Sequence, residues 1–166
     1  MAARRARTGQ DDIRAHRQGR RLALASVFEA DFGLRTAEAV LERHLAASAG
    51  DPETAAFARQ LVRATVADRD RIDGRIGELA PKYPVVQLAR IDRSLLRTAL
   101  GEVLHSPATP ARVAISEWVE LARIYSGDPA RRLINGVLGR LTREAGPSAA
   151  RSGGDAADDD AGVPAG

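Results

Sequence analysis

Apolar positions recur along this chain at steps of three and four, the spacing that puts side chains on one face of an α-helix. Leu24, Val27 and Phe28 form the first such face, predicting a helix over about 12–31 with Gly33 placed to end it. Thr36 is a good N-cap for a second helix carrying Val40, Leu41 and Leu45, which Gly50 stops. Asp51-Pro52-Glu53 gives the strongest local start signal: an N-cap acid, a proline at the first helical position and a further acid for the dipole. From there Phe57, Leu61, Ile72, Ile76 and Leu79 make a long stripe interrupted by Thr65 and Asp68, and Pro81 and Pro84 bracket a break.

The second half repeats the style. Leu95, Leu96, Ala99, Leu100, Val103 and Leu104 share a helical face. Thr109-Pro110 reads as a cap and first turn ahead of Ile115, Trp118, Val119 and Ala122. Asp128-Pro129 opens a last helix with Leu133, Ile134, Val137, Leu138 and Leu141. No segment alternates with the period of two that a half-buried strand requires. The expected fold is all-α, a bundle of six to seven helices in two packed subassemblies, roughly 13–76 and 85–141, sharing one interface. Residues 1–11 read as a flexible basic segment, 12–145 as the helical domain and 146–166 as a disordered Gly/Ala/Asp tail, because neither end has the apolar content to offset its ordering entropy.

Composition narrows the chemistry. Aromatic residues are 4% of the chain, so the core must be aliphatic, and cysteine is absent, which removes disulfides, thiolate metal sites and a thiol nucleophile. His16, His44 and His105 are scattered, with no pair at metal-ligand spacing, so no metal site is expected. No P-loop, dinucleotide fingerprint or nucleophile elbow occurs. Glu117 and Glu120 could be imagined as an acid/base pair, but the boundary between the dry and wet sides of a helix explains them more simply. No catalytic residue is assigned. A cytoplasmic, reducing setting fits, and no apolar run approaches the roughly 18 residues that span a bilayer.

The net charge of +3 hides an asymmetry: seven arginines against two aspartates up to Arg21, and Asp155, Asp158, Asp159 and Asp160 near the far end. A basic end suggests a polyanionic partner, weighed against an ordinary solvated face. Two clusters sharpen the suggestion. In Arg17-Gln18-Gly19-Arg20-Arg21, helical spacing puts Arg17 with Arg20, or Arg17 with Arg21, on one face, where guanidinium forks could grip phosphates. In Ser126-Gly127-Asp128-Pro129-Ala130-Arg131-Arg132-Leu133, a glycine-containing loop leads into a helix N-terminus flanked by two arginines, a plausible phosphate cradle. Gly136, just beyond, costs a helix about 1 kcal/mol relative to Ala. Close backbone approach by a neighbouring helix, or less readily by a ligand, would account for it.

The order of these segments resembles the NusB family of transcription antitermination factors. Arg20-Arg21-Leu22-Ala23-Leu24-Ala25-Ser26-Val27-Phe28 is similar to its opening arginine-rich helix, and Ile91-Asp92-Arg93-Ser94-Leu95-Leu96-Arg97-Thr98-Ala99-Leu100-Gly101-Glu102-Val103 to its central segment. Pro110-Ala111-Arg112-Val113-Ala114-Ile115-Ser116-Glu117-Trp118-Val119-Glu120-Leu121-Ala122-Arg123, followed by Leu133-Ile134-Asn135-Gly136-Val137-Leu138, resembles the remaining motif. The departures are Ser116 for Asn, Arg123 for Lys, Leu133 for Phe, Ala25 for Gln and Gly101 for a frequent aromatic.

The resemblance implies a non-enzymatic protein without cofactor that binds single-stranded boxA RNA of ribosomal RNA leaders together with ribosomal protein NusE. It further implies action with the other Nus factors on the elongating RNA polymerase, as a monomer or a homodimer. Carried onto matching positions, the RNA face comprises Arg17, Arg20, Arg21, Ser126, Arg131, Arg132 and Leu133, and the partner face Phe28, Phe32, Asp92 and Glu102. Two readings compete: a NusB-like domain of an RNA cytosine methyltransferase, disfavoured by the missing cysteine, and a helical adaptor that touches no RNA.

Overall fold

The computed structural model describes residues 8–106 and 108–146; of the segments expected to be flexible, 1–11 and 146–166, residues 1–7 and 147–166 lie outside that range, while residues 9–11 are helical. Seven α-helices and one short 3-10 turn make up the described chain, with no strand among them. Helix α1 (Gly9–Ala30) begins earlier than the apolar pattern suggests. Thr8 and Asp11 set that start by a reciprocal cap: Thr8 Oγ1 accepts from the Asp11 amide at 3.3 Å, and Asp11 Oδ2 accepts from the Thr8 amide at 3.0 Å. Gly33, at φ +82, turns the chain after α1. Thr36 and Asp51 cap α2 (Ala37–Ala47) and α3 (Pro52–Ala67) as their sequence signals predict.

The long stripe after Asp51 is two helices. Asp68 leaves helical geometry (φ −113, ψ 21) and accepts a 2.8 Å hydrogen bond from His105 Nε2, and α4 (Arg69–Leu79) departs in a new direction. It therefore packs on the second half of the molecule, so the division falls at Asp68 rather than after Ile76. A 3-10 turn at Val85–Gln87 leads to α5 (Arg90–His105), then α6 (Ala111–Tyr125) and α7 (Asp128–Glu144). Pro110 itself occupies the N-cap of α6, with no side-chain cap bond.

Helices α1, α2 and α3 pack together on one side, α4, α6 and α7 on the other, and α5 runs between them. Its nine consecutive residues from Ser94 to Glu102 are all buried, the signature of a helix covered all round. The hydroxyls on that buried run return to the backbone: Ser94 Oγ donates to Arg90 O and Thr98 Oγ1 to Ser94 O, both at 2.7 Å. Gly101 permits the close approach of α3, since a Cβ there would lie 2.5 Å from Thr65 Oγ1 and 3.3 Å from Thr65 Cα. That is the local reason for a glycine where the resembling family often has an aromatic. One continuous apolar core joins both halves, from Ala23 and Leu24 through Leu95, Leu96 and Leu100 to Trp118, Leu138 and Leu141.

Candidate RNA interface

The first arginine cluster splits between core and surface. Gly19 brings α1 onto α3; a Cβ in its place would sit 2.7 Å from Phe57 Cδ1 and 3.3 Å from Thr54 O. That approach carries the next residue, Arg20, into the interior, where it is 2% exposed. Its Nε and Nη2 donate to Glu102 Oε2 and Oε1 at 2.9 and 2.7 Å, and Glu102 is fully buried. Trp118 Nε1 donates to the same carboxylate at 2.7 Å, and the Arg20 guanidinium lies 5.2 Å from the centre of the Phe57 ring. Two expectations are corrected here. Arg20 does not face RNA and Glu102 does not face a protein partner; they form an internal ion pair joining α1, α5 and α6. Burial of a charge demands such pairing, and the bidentate fork together with the indole satisfies it.

Of the two face pairings open in the sequence, the structure realises Arg17 with Arg21. Both line a groove of about 760 Å³ whose opposite wall is α6, through Arg112, Ile115, Ser116, Glu117, Val119 and Glu120. Asn135 of α7 closes one side, a helical turn after Arg131 and Arg132. Among the described residues, the ion pairs leave Arg21, Arg112 and Arg132 without a carboxylate partner. Arg17 is engaged: its Nε lies 3.0 Å from each oxygen of Glu117 and its Nη2 3.0 Å from Oε1. That hydrogen-bonded carboxylate raises the Arg17 pKa further above its already high value. Glu120 is turned to Arg123 on its own helix, and this hydrogen bond holds its carboxyl below the usual range.

The second cluster opens α7. Gly127 adopts φ +135 at the N-cap, a conformation that favours glycine, and exposed Ser126 precedes it. Arg131 Nε lies 3.2 Å from Asp128 Oδ1, Arg132 is exposed, and Leu133 is half-buried against the core. Gly136 is exposed and a Cβ on it would meet nothing, so tight helix packing does not account for it. Gly74 and Gly77 on α4 are equally open.

Ser126 Oγ donates to Asp92 Oδ1 at 2.5 Å, so the loop expected to hold RNA touches a residue expected to hold the partner. Phe28 and Phe32 stand edge to face at 5.4 Å near the end of α1, and the Arg90 guanidinium caps exposed Phe32 at 4.3 Å. Between them the sequence reading missed a network: Asp31 receives Arg93 at 2.5 Å and Arg97 at 3.4 Å, and Arg97 also makes a two-pronged bond to Asp73. It missed the α6 wall of the groove as well. Arg112, Ser116 and Glu117 stand at steps of four and one along that helix, and only the placement of α6 opposite α1 turns them into a site.

The NusB family model matches residues 17–143, which spans both walls of the groove, the buried ion pair and the Asp92–Ser126 contact. The chain belongs to the NusB family. The chain spans about 63% of one curated NusB relative and about 90% of another. The transcription antitermination protein NusB of Heliobacterium modesticaldum is 41% identical over 131 residues, covering 78% of this chain and 63% of that protein. A NusB of Dehalococcoides mccartyi is 38% identical over 129 residues, 78% of this chain and 90% of its own length. The crystal structure of T. maritima NusB superposes with a TM-score of 0.74 at 28% identity, over 80% of this chain and 94% of the other. A NusB solved with NusE and double-stranded RNA shares the fold, at a TM-score of 0.72 and 18% identity over 80% of this chain and 98% of that one.

Proposed function

We propose that this NusB-family chain is a transcription antitermination factor. It binds boxA-type single-stranded RNA of ribosomal RNA leaders together with ribosomal protein NusE, and supports processive transcription by RNA polymerase. It acts in the cytoplasm, without cofactor or catalytic step. The observation that carries this reading is the groove between α1 and α6, where Arg21 and Arg112 face a shared space with no carboxylate to neutralise them. Arg132 extends the basic surface towards the α7 N-terminus. The names of the curated relatives support the same reading.

On this proposal Arg17, Arg21 and Arg112 hold backbone phosphates, and Ser126, Arg131, Arg132 and Leu133 continue the track along α7. Phe28, Phe32 and Asp92 meet the partner. Leu133 offers no ring for a base to stack on, so phosphate contacts carry a large share of affinity. The test is a titration of boxA RNA at several salt concentrations, with and without NusE. Replacing Arg21 and Arg112 together by alanine weakens binding and lowers the slope of log affinity against log salt by about 1 to 1.5 units, from roughly 0.7 per single-strand phosphate contact. An unchanged slope would place the RNA site elsewhere.

A further inference from the structure

The groove is not uniformly basic. One of its exposed cations, Arg17, with 60% of its side-chain surface open, is held by Glu117, whose own side chain is 20% exposed. The pair bridges α1 and α6 across the mouth of the groove, from residues 100 apart in the chain. Glu120, one turn further along the same wall, instead satisfies itself with Arg123 at 2.5 Å. Glu117 is thus the carboxylate in the groove that neutralises a cation from the facing helix.

We propose that Glu117 is an internal competitor for RNA: it occupies Arg17 in the free protein and opposes the transfer of that guanidinium to a phosphate. The inference rests on the groove being the RNA site. Its physical basis is the near balance between the two partners. An exposed ion pair and one phosphate contact on a single strand are both modest, salt-screened interactions, so neither holds Arg17 outright. A bound strand that draws Arg17 away also leaves Glu117, which is largely withdrawn from water, facing phosphates of its own sign. The carboxylate therefore lowers the affinity of the groove for any plain polyanion and raises the number of simultaneous contacts a strand must make to stay.

The experiment uses the full chain and a short fluorescent oligouridylate, with affinity measured by anisotropy over a salt series. Glu117→Gln keeps the shape and removes the charge; Glu117→Ala also removes the acceptor. Both tighten binding about two- to fivefold, the equilibrium worth of an exposed ion pair. Both also steepen the salt dependence by about 0.7, the value of one further phosphate contact. In an Arg17→Ala background the same substitutions relieve only the like-charge repulsion, so the gain shrinks and the salt dependence no longer steepens. Unchanged affinity in the Glu117 variants, or a gain and a steepening that are equally large without Arg17, overturns the proposal; the second result would mean simple removal of a negative charge. Arg21→Ala in the wild-type background tests the underlying reading separately. If it leaves affinity and slope unchanged, the groove is not the RNA site, whatever Glu117 does.

Discussion

Removing Glu102 should reveal how far the first arginine cluster serves the fold. In Glu102→Ala the guanidinium of Arg20 stays 2% exposed with no counter-charge, and Trp118 Nε1 loses its acceptor. Breaking a buried pair from one side costs about 3–5 kcal/mol, most of it the penalty of the charge left behind. For a domain of this size each kcal/mol shifts the midpoint by about 2–4 °C, so melting should fall by about 6–20 °C. Circular dichroism reports the helices and Trp118, the single tryptophan of the chain, reports the hub by fluorescence. The double variant Arg20→Met with Glu102→Leu removes both charges and should recover most of the loss, since apolar replacement of a buried pair is often neutral. A Glu102→Ala protein melting within about 2 °C of wild type would refute the reasoning, because no mechanism of that size could then be acting. The folded double variant must also keep its RNA affinity. If it does not, Arg20 reaches outward after all.

Gly101→Ala should destabilise by about 1–3 kcal/mol through overpacking against α3. Thr65→Ala in the same chain should recover part of this by removing the 2.5 Å clash with Oγ1, as urea midpoints would show. Asp92→Lys should weaken capture of NusE in a pull-down while helical content survives, because it reverses a charge at the inferred partner face and breaks the bond from Ser126. Unchanged capture would move that face elsewhere.

Local signals were readable where one residue decides an outcome. Thr36 and Asp51-Pro52 start helices because their side chains or rings suit those ends, whatever packs later. Charge puts Arg20 on an outer face because a charged residue is normally solvated, and the resemblance puts Glu102 on a partner face; neither reveals that the two pair with each other across 82 positions. The periodicity nonetheless held a clue: position 20 falls on the same helical face as Ala23, Leu24 and Val27, and position 102 continues the buried run of α5. A charge in register with an apolar stripe is a question about its partner. In the sequence Asp68 only interrupts one stripe, and what makes it a helix boundary is its tertiary contact with His105. The groove wall of α6 was beyond local reasoning for the same cause. Spacing assigns residues to a face of a helix, but only packing decides what that face looks at.

The position of α5 has a consequence for how the molecule comes apart. Because this helix supplies the inner wall of both halves, neither half owns a closed interior. A chain severed in the connector around Val85–Gln87 would leave one fragment with the α3 face around Thr65, against which Gly101 of α5 packs, open to water. The other fragment would keep α5 but bare the flank that had covered that face. Neither piece is expected to hold structure alone, and mixing the two should restore the helical circular dichroism signal. Unfolding is therefore expected to pass through the whole described chain as one event, with the basic groove and the inferred partner face lost together.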